Sequence, residues 1–171
     1  VLLLANGLAG NPEITAENTD YAAFVNGLEN VSVALSKMLA KDGEGATKLI
    51  EVRVKQAPDK ESAHSIANAV CKSPLVKTMI FGQDANCGRI LTAAGYSGAE
   101  FNPNTVDVWI GDLLCFEDGA ALRFDEEKAL SILKENEVVI TVDLKSGSAE
   151  DTMWTCDFSY DYVKINGSYR T

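Results

Sequence analysis

The sequence predicts a mixed α/β fold, a sheet of parallel and antiparallel strands layered with helices, and three observations carry that expectation. From about Ala16 to Lys41 apolar residues recur at three- and four-residue steps, the period of a helix. Between Thr47 and Gln56 the period becomes strict alternation, with Ile50, Val52 and Val54 on one face and Glu51, Arg53 and Lys55 on the other. Such changes repeat along the chain, and a hairpin signal near its middle adds antiparallel pairing. No repeat, low-complexity tract or Pro-rich linker interrupts the series, so the 171 residues are expected to form one domain, 1–171.

The apolar run Val1–Ala5 is expected to be a short buried strand, ended by Asn6-Gly7 and a loop through Gly10-Asn11-Pro12. In the helix that follows, Tyr21, Phe24, Val25, Leu28, Val31, Leu35, Met38 and Leu39 form one apolar stripe. Glu17 and Asp20 suit its start, Lys37 and Lys41 its end, and Gly43 its C-terminal cap. Gly27 costs about 1 kcal/mol against alanine inside a helix, which suggests close packing there. Pro58-Asp59 opens a second helix, about Lys60–Lys72, with Ala63, Ile66, Ala67 and Val70 inward, and Ser73-Pro74 ends it.

Val76–Phe81 reads as a strand, and Cys87–Ala94 as a helix closed by Gly95. Val106–Asp112 and Leu113–Phe116 read as a hairpin region, with Glu117-Asp118-Gly119 as a turn. Phe124–Asn136 is expected as a helix and Val138–Leu144 as a strand. Met153–Val163 is expected as the final strand, with Trp154, Cys156, Phe158 and Tyr160 on one face.

Composition limits the partners. With 25 acidic and 15 basic residues the formal net charge is −10, which argues against nucleic acid or an anionic membrane surface. The longest apolar run is far too short to span a bilayer, and no signal-peptide pattern is present. The chain opens in an apolar run without methionine, which suggests that something is missing upstream. Cys71, Cys87, Cys115 and Cys156 are widely spaced and match no zinc pattern. They read as buried, reduced thiols of a cytoplasmic protein. No convergent metal ligands are visible.

Four segments could carry chemistry. In Asp42-Gly-Glu-Gly-Ala-Thr-Lys48 a glutamate sits between two glycines, so the backbone around its carboxylate is open and could admit a ligand's ammonium group. The same segment also fits a plain helix-ending turn. Gly82-Gln-Asp-Ala-Asn-Cys-Gly-Arg89 leads into a helix that Asp84 or Asn86 could cap, and its N-terminus could hold an anion. His64, the only histidine, falls on a polar helix face with Glu61 and Asn68, so no Ser-His-Asp or Cys-His arrangement is offered. Asp125-Glu126-Glu127 suits the start of a helix, complementing its dipole.

Taken together, several segments resemble the beta chain of the ornithine acetyltransferase / N-acetylglutamate synthase family of arginine biosynthesis. They are Val1-Leu-Leu-Leu-Ala-Asn-Gly7, Asp42-Gly-Glu-Gly-Ala-Thr-Lys48, Lys72-Ser-Pro-Leu-Val-Lys77, Phe81-Gly-Gln-Asp-Ala-Asn86, Asp161-Tyr-Val-Lys-Ile-Asn166 and Tyr169-Arg-Thr171. The resemblance runs from the first residue to the last. It implies a precursor that cleaves itself before a threonine into alpha and beta chains that stay associated, as an alpha2-beta2 heterotetramer. That threonine would carry the acetyl group from N-acetylornithine to glutamate in a ping-pong cycle, and some members also use acetyl-CoA. No other cofactor is implied.

This sequence begins at Val1, inside the implied beta chain, and the segment bearing the nucleophile is absent from it. What the resemblance assigns here is substrate binding, to Glu44, Asn166 and Thr171. Cys87 stands where the family resemblance implies a bulky aromatic residue. Two other classes remain open at this point: a non-catalytic amino-acid-binding domain, and a self-processing aminopeptidase or amidohydrolase of related architecture.

Overall fold

The computed structural model describes residues 2–15 and 17–168, and the chain divides into two compact units, one ending at Leu35 and one starting at Ser36. In the first unit residues 2–15 belong to no helix or strand, and Leu2, Leu3, Leu4 and Leu8 are exposed. The buried strand expected at Val1–Ala5 is therefore not found over 2–5, and Val1 lies outside the described residues. A strand needs a neighbour for its backbone groups, and every described strand lies in the second unit.

Helix α1 (Thr19–Lys41) begins where the Asn18 side chain accepts the amides of Asp20 and Tyr21, each at 3.0 Å. The helical period was legible, but none of the helix's residues is buried. Tyr21, Phe24, Leu28, Val31 and Leu35, spaced alternately by three and four, remain exposed along one stripe. Gly27 meets nothing within 4 Å among the described residues, so the close packing expected there is absent.

The second unit holds β1 (Leu49–Ala57), α2 (Lys60–Lys72), α3 (Pro74–Phe81), α4 (Cys87–Gly95), β2 (Asp107–Ile110), β3 (Leu113–Glu117), β4 (Ala120–Ala121), α5 (Glu126–Lys134), β5 (Glu137–Asp143), β6 (Ala149–Cys156) and α6 (Tyr160–Ser168). The six strands form one mixed sheet in the order β4-β3-β2-β5-β1-β6, with β1 and β5 parallel and the other neighbours antiparallel. This is the expected mixed α/β architecture. Register aligns the buried rows: Ile50, Val52 and Val54 pair with Val138, Ile140 and Val142, and the last two also with Ile110 and Val108. These residues are fully buried, as are Ala63, Ile66, Ala67 and Val70 of α2, which packs on β1 and β6. Removing that apolar surface from water is the main force holding the layers together.

Local signals behave as their chemistry dictates. Asp59 caps α2 by accepting the Ser62 amide at 2.7 Å, and Asp125 caps α5 by accepting those of Glu127 and Lys128. The turn between β3 and β4 has φ of 48° at Asp118 and 72° at Gly119, the paired positive values of a tight hairpin.

Two expected strands are helices. Val76–Phe81 belongs to α3, which starts because Ser73 accepts the Val76 amide, Pro74 takes the first turn, and the Lys77 amide reaches the Ser73 carbonyl at 3.0 Å. Its apolar run was too short for periodicity to decide. The expected strand Met153–Val163 ends at Cys156, and Tyr160–Ser168 is α6. Asp157 and Ser159, which alternate in sequence with Phe158 and Tyr160, are buried at 1% and 7% exposure and leave the ladder for other partners.

Candidate substrate-binding site

Those partners lie in the turn between α1 and β1. The Asp157 carboxylate accepts the amides of Thr47 at 2.7 Å and Lys48 at 2.9 Å through one oxygen, and the Thr47 hydroxyl through the other. Ser159 donates its hydroxyl to the Gly45 carbonyl and accepts the Tyr162 amide at 3.4 Å. A charged acceptor with three donors is a strong tie, because each bond is charge-assisted and shielded from water.

The glycines explain how the backbone comes so close. Gly45 has φ of 70°, and a Cβ there would lie 2.5 Å from the Tyr162 nitrogen. A Cβ on Gly43 would lie 2.7 Å from the Cys156 sulfur. The left-handed backbone falls on Gly45, within the turn that the Ala46 amide closes onto the Gly43 carbonyl at 2.9 Å, and not on Gly43, where the sequence suggested a helix cap. Exposed Glu44 is thus held between two glycines, one against the last residue of β6 and one against the segment that follows it.

Asn166 sits one turn further along α6, where its side-chain amide donates to the Tyr162 carbonyl at 2.9 Å. The turn of Glu44 and the helix of Asn166 therefore meet at Gly45 and Tyr162. Thr171, the third residue singled out, lies outside the described residues, as do Tyr169 and Arg170. Behind the turn a cleft of about 230 Å³ is lined by Lys41, Thr47, Lys48, Asn136 and Glu137. Lys41 pairs there with Glu137, and the Lys48 ammonium meets the Glu135 carbonyl at 2.9 Å.

Beneath the site lies Lys77, only 9% exposed. Its ammonium is 4.0 Å from the centre of the Phe158 ring and 3.7 Å from the Cys156 sulfur, and its carbonyl accepts the Phe158 amide. Phe158 in turn stacks on Tyr162, with centroids 4.3 Å apart. Sequence reasoning missed Asp157, Ser159 and Lys77. Polar residues in a strand-like stretch, and a lysine inside an apolar run, were the only signals, and neither names a partner.

The other candidates lie apart from this turn. Asn86 occupies the cap position of α4 without a side-chain cap bond, and Asp84 faces Arg89 at 4.0 Å. His64 is exposed, as expected, and bonds Asp151 at 2.8 Å. Cys71, Cys87 and Cys115 are buried free thiols, whereas Cys156 is half-buried with the Lys77 ammonium beside it. Burial pushes the Cys71 thiol up to about 12 against the opposing charge of Lys77, so it is inert. The Cys87 thiol is also raised, by its hydrogen bond with the Cys115 thiol and by burial, and its small side chain is accommodated in the core. Among the described residues no group of three or more His, Cys, Asp or Glu could hold a metal ion, and no helix is long and apolar enough to cross a membrane.

The sheet order, the flanking helices and the turn locked onto α6 define a layered α/β protein with a mixed six-stranded sheet. The chain belongs to the ArgJ family, whose model matches residues 1–171. It is 57% identical over 171 residues to the arginine biosynthesis bifunctional protein ArgJ of Symbiobacterium thermophilum, covering 100% of this chain and 42% of that protein. Against the protein of the same name from Geobacillus stearothermophilus, identity is 50% over 171 residues, with the same coverages of 100% and 42%. The crystal structure of arginine biosynthesis bifunctional protein ArgJ from Bacillus halodurans superposes with a TM-score of 0.91 at 44% identity, covering 95% of this chain and 77% of that one. The chain thus spans less than half the length of the curated relatives it matches.

Proposed function

We propose that the protein containing these residues is a glutamate N-acetyltransferase of arginine biosynthesis, moving the acetyl group of N-acetyl-L-ornithine to L-glutamate. The observation that carries this reading is the family match along residues 1–171, with 57% identity to a relative named for bifunctional arginine biosynthesis. In the proposed cycle a threonine hydroxyl attacks the acetyl carbonyl and ornithine leaves with its amine restored. The glutamate amine then attacks the acetyl ester and returns the hydroxyl. That threonine lies outside these residues, in a precursor that cleaves itself. Acetyl-CoA is an additional acetyl donor, and no other cofactor takes part.

The role of this chain is to hold the amino-acid substrate. Glu44 accepts the substrate's ammonium, and Asn166 and Thr171 hold its polar ends. The clamp of Asp157 and Ser159 supports this reading, because it fixes the Glu44 turn against the helix of Asn166. A site that must fix both the donor and the acceptor amino acid gains from such preorganisation.

The partner is the alpha chain of the same precursor, and the pairs assemble as an alpha2-beta2 heterotetramer in the cytoplasm. A 23-residue helix with no buried residue and an exposed stripe of Tyr21, Phe24, Leu28, Val31 and Leu35 supports a partner there. The test is acetyl transfer from N-acetylornithine to labelled glutamate by the full-length protein, without acetyl-CoA. Transfer is expected; hydrolysis of the acetyl group without transfer overturns the proposal.

A further inference from the structure

Lys77 lies where an ammonium is costly. The residue is 9% exposed, and among the described residues no carboxylate comes within 4.0 Å of it. Taking a charge out of water without an ion-pair partner is unfavourable. An apolar side chain of similar length would fill the same volume without that penalty, so packing alone does not account for a lysine there.

What the ammonium does touch is specific. On one side it lies 4.0 Å from the centre of the Phe158 ring, while the Lys77 carbonyl holds the Phe158 amide. Phe158 stacks on Tyr162, and the Tyr162 carbonyl holds the Asn166 side chain. On the other side the ammonium meets the Cys156 sulfur, which packs under Gly43, next to Glu44. One side chain thus reaches both halves of the site.

We propose that Lys77 is the positioning residue of the substrate-binding site, setting α6 through its cation–π contact with Phe158 and the Glu44 turn through Cys156. The inference rests on the proposed function for the identity of the site and for its kinetic readout. Removing the charge loosens α6 relative to the turn, so it weakens substrate binding more than it slows the chemical step.

The experiment uses the full-length protein with Lys77→Met, Lys77→Arg and, as a packing control, Val76→Ala at a fully buried neighbour. Lys77→Met is expected to raise KM for N-acetylornithine and glutamate about tenfold while kcat falls less, in keeping with loss of a desolvated cation–π contact. Amide exchange over residues 160–168 is expected to quicken by a similar factor. Lys77→Arg, which keeps the cation over the ring, is expected to restore most of both. Unchanged KM and exchange in Lys77→Met, or an equal KM rise in Val76→Ala at matched Tm, overturns the proposal. Should Lys77→Met not fold, Phe158→Leu must reproduce the KM rise and the faster exchange, and wild-type values in it overturn the proposal. Absence of acetyl transfer by the wild type would overturn the functional reading instead, while exchange at α6 still decides the role of Lys77.

Discussion

Asp157 holds Thr47 through both of its carboxylate oxygens, one on the backbone amide at 2.7 Å and the other on the hydroxyl. The two residues are 110 apart in sequence, and their contact joins the end of the sheet's edge strand to the turn that carries Glu44. Asp157→Ala removes the shared acceptor and leaves the Thr47 and Lys48 amides without it. It is expected to lower stability by about 3 kcal/mol, and Tm of the longer full-length protein by roughly 4 °C. Thermal unfolding of the full-length protein measures this, and a change under 2 °C would show that the clamp carries little.

Gly45 is demanded twice, by its φ of 70° and by its approach to Tyr162. Gly45→Ala is expected to force α6 away from the turn and to raise KM for both amino-acid substrates more than tenfold. A Cβ on Gly43 would clash with the Cys156 sulfur, the end of a side chain, whereas the Ala40 carbonyl at 3.4 Å and the Ala46 Cβ at 3.5 Å are ordinary contacts, so Cys156→Ala should relieve it. Equal KM values for Gly43→Ala with and without the second change would contradict this packing.

Much of this arrangement was legible in the sequence, and the remainder was not for a physical reason. Local codes read well: the alternation of Ile50, Val52 and Val54, the helix starts at Asp59 and Asp125, and the hairpin at Asp118-Gly119 depend on neighbours in sequence. The Glu44 turn stood out because glycines flank it. The tail from Asp157 onward was misread because its alternation is real, yet its polar residues are claimed by a turn more than a hundred residues away. Lys77 was invisible as anything but a lysine in an apolar run, since Phe158 and Cys156 meet it only after folding.

In the proposed site Glu44 accepts the substrate ammonium, so Glu44→Ala is expected to raise KM for N-acetylornithine and for glutamate by about tenfold or more. Michaelis constants equal to those of the wild type for both substrates would remove Glu44 from the site.

On the sheet's other face Glu51 gathers three donors: Trp154 at 2.8 Å, Lys37 at 3.2 Å and Arg53. Burial raises its carboxyl, but the bonds from Trp154, Arg53 and Lys37 outweigh burial and hold it below its ordinary value of 4.5. A folded-state value below the unfolded one gives stability that is present above the unfolded value and lost as pH falls through the folded one. Glu51→Gln is therefore expected to cost about 1 kcal/mol at pH 7 after solvent screening. The difference from wild type should shrink as pH falls below 4.5, the ordinary value for this carboxyl. A difference in denaturation midpoint that is constant from pH 7 to about pH 3 would refute this.

The stripe on α1 makes the last prediction. Tyr21, Phe24, Leu28, Val31 and Leu35 repeat at the spacing of a helix-packing seam, yet Val31 is 57% exposed and Phe24 50%. In the proposed assembly the alpha chain covers this seam, so a charge placed at its centre must be buried or must force the partner away. Val31→Asp is expected to weaken association of the two chains at least tenfold, as read by sedimentation of the processed protein. Glu29→Lys provides the contrast: it lies on the same helix outside the stripe and should leave association unchanged. Equal sedimentation of Val31→Asp and wild type would place the partner elsewhere.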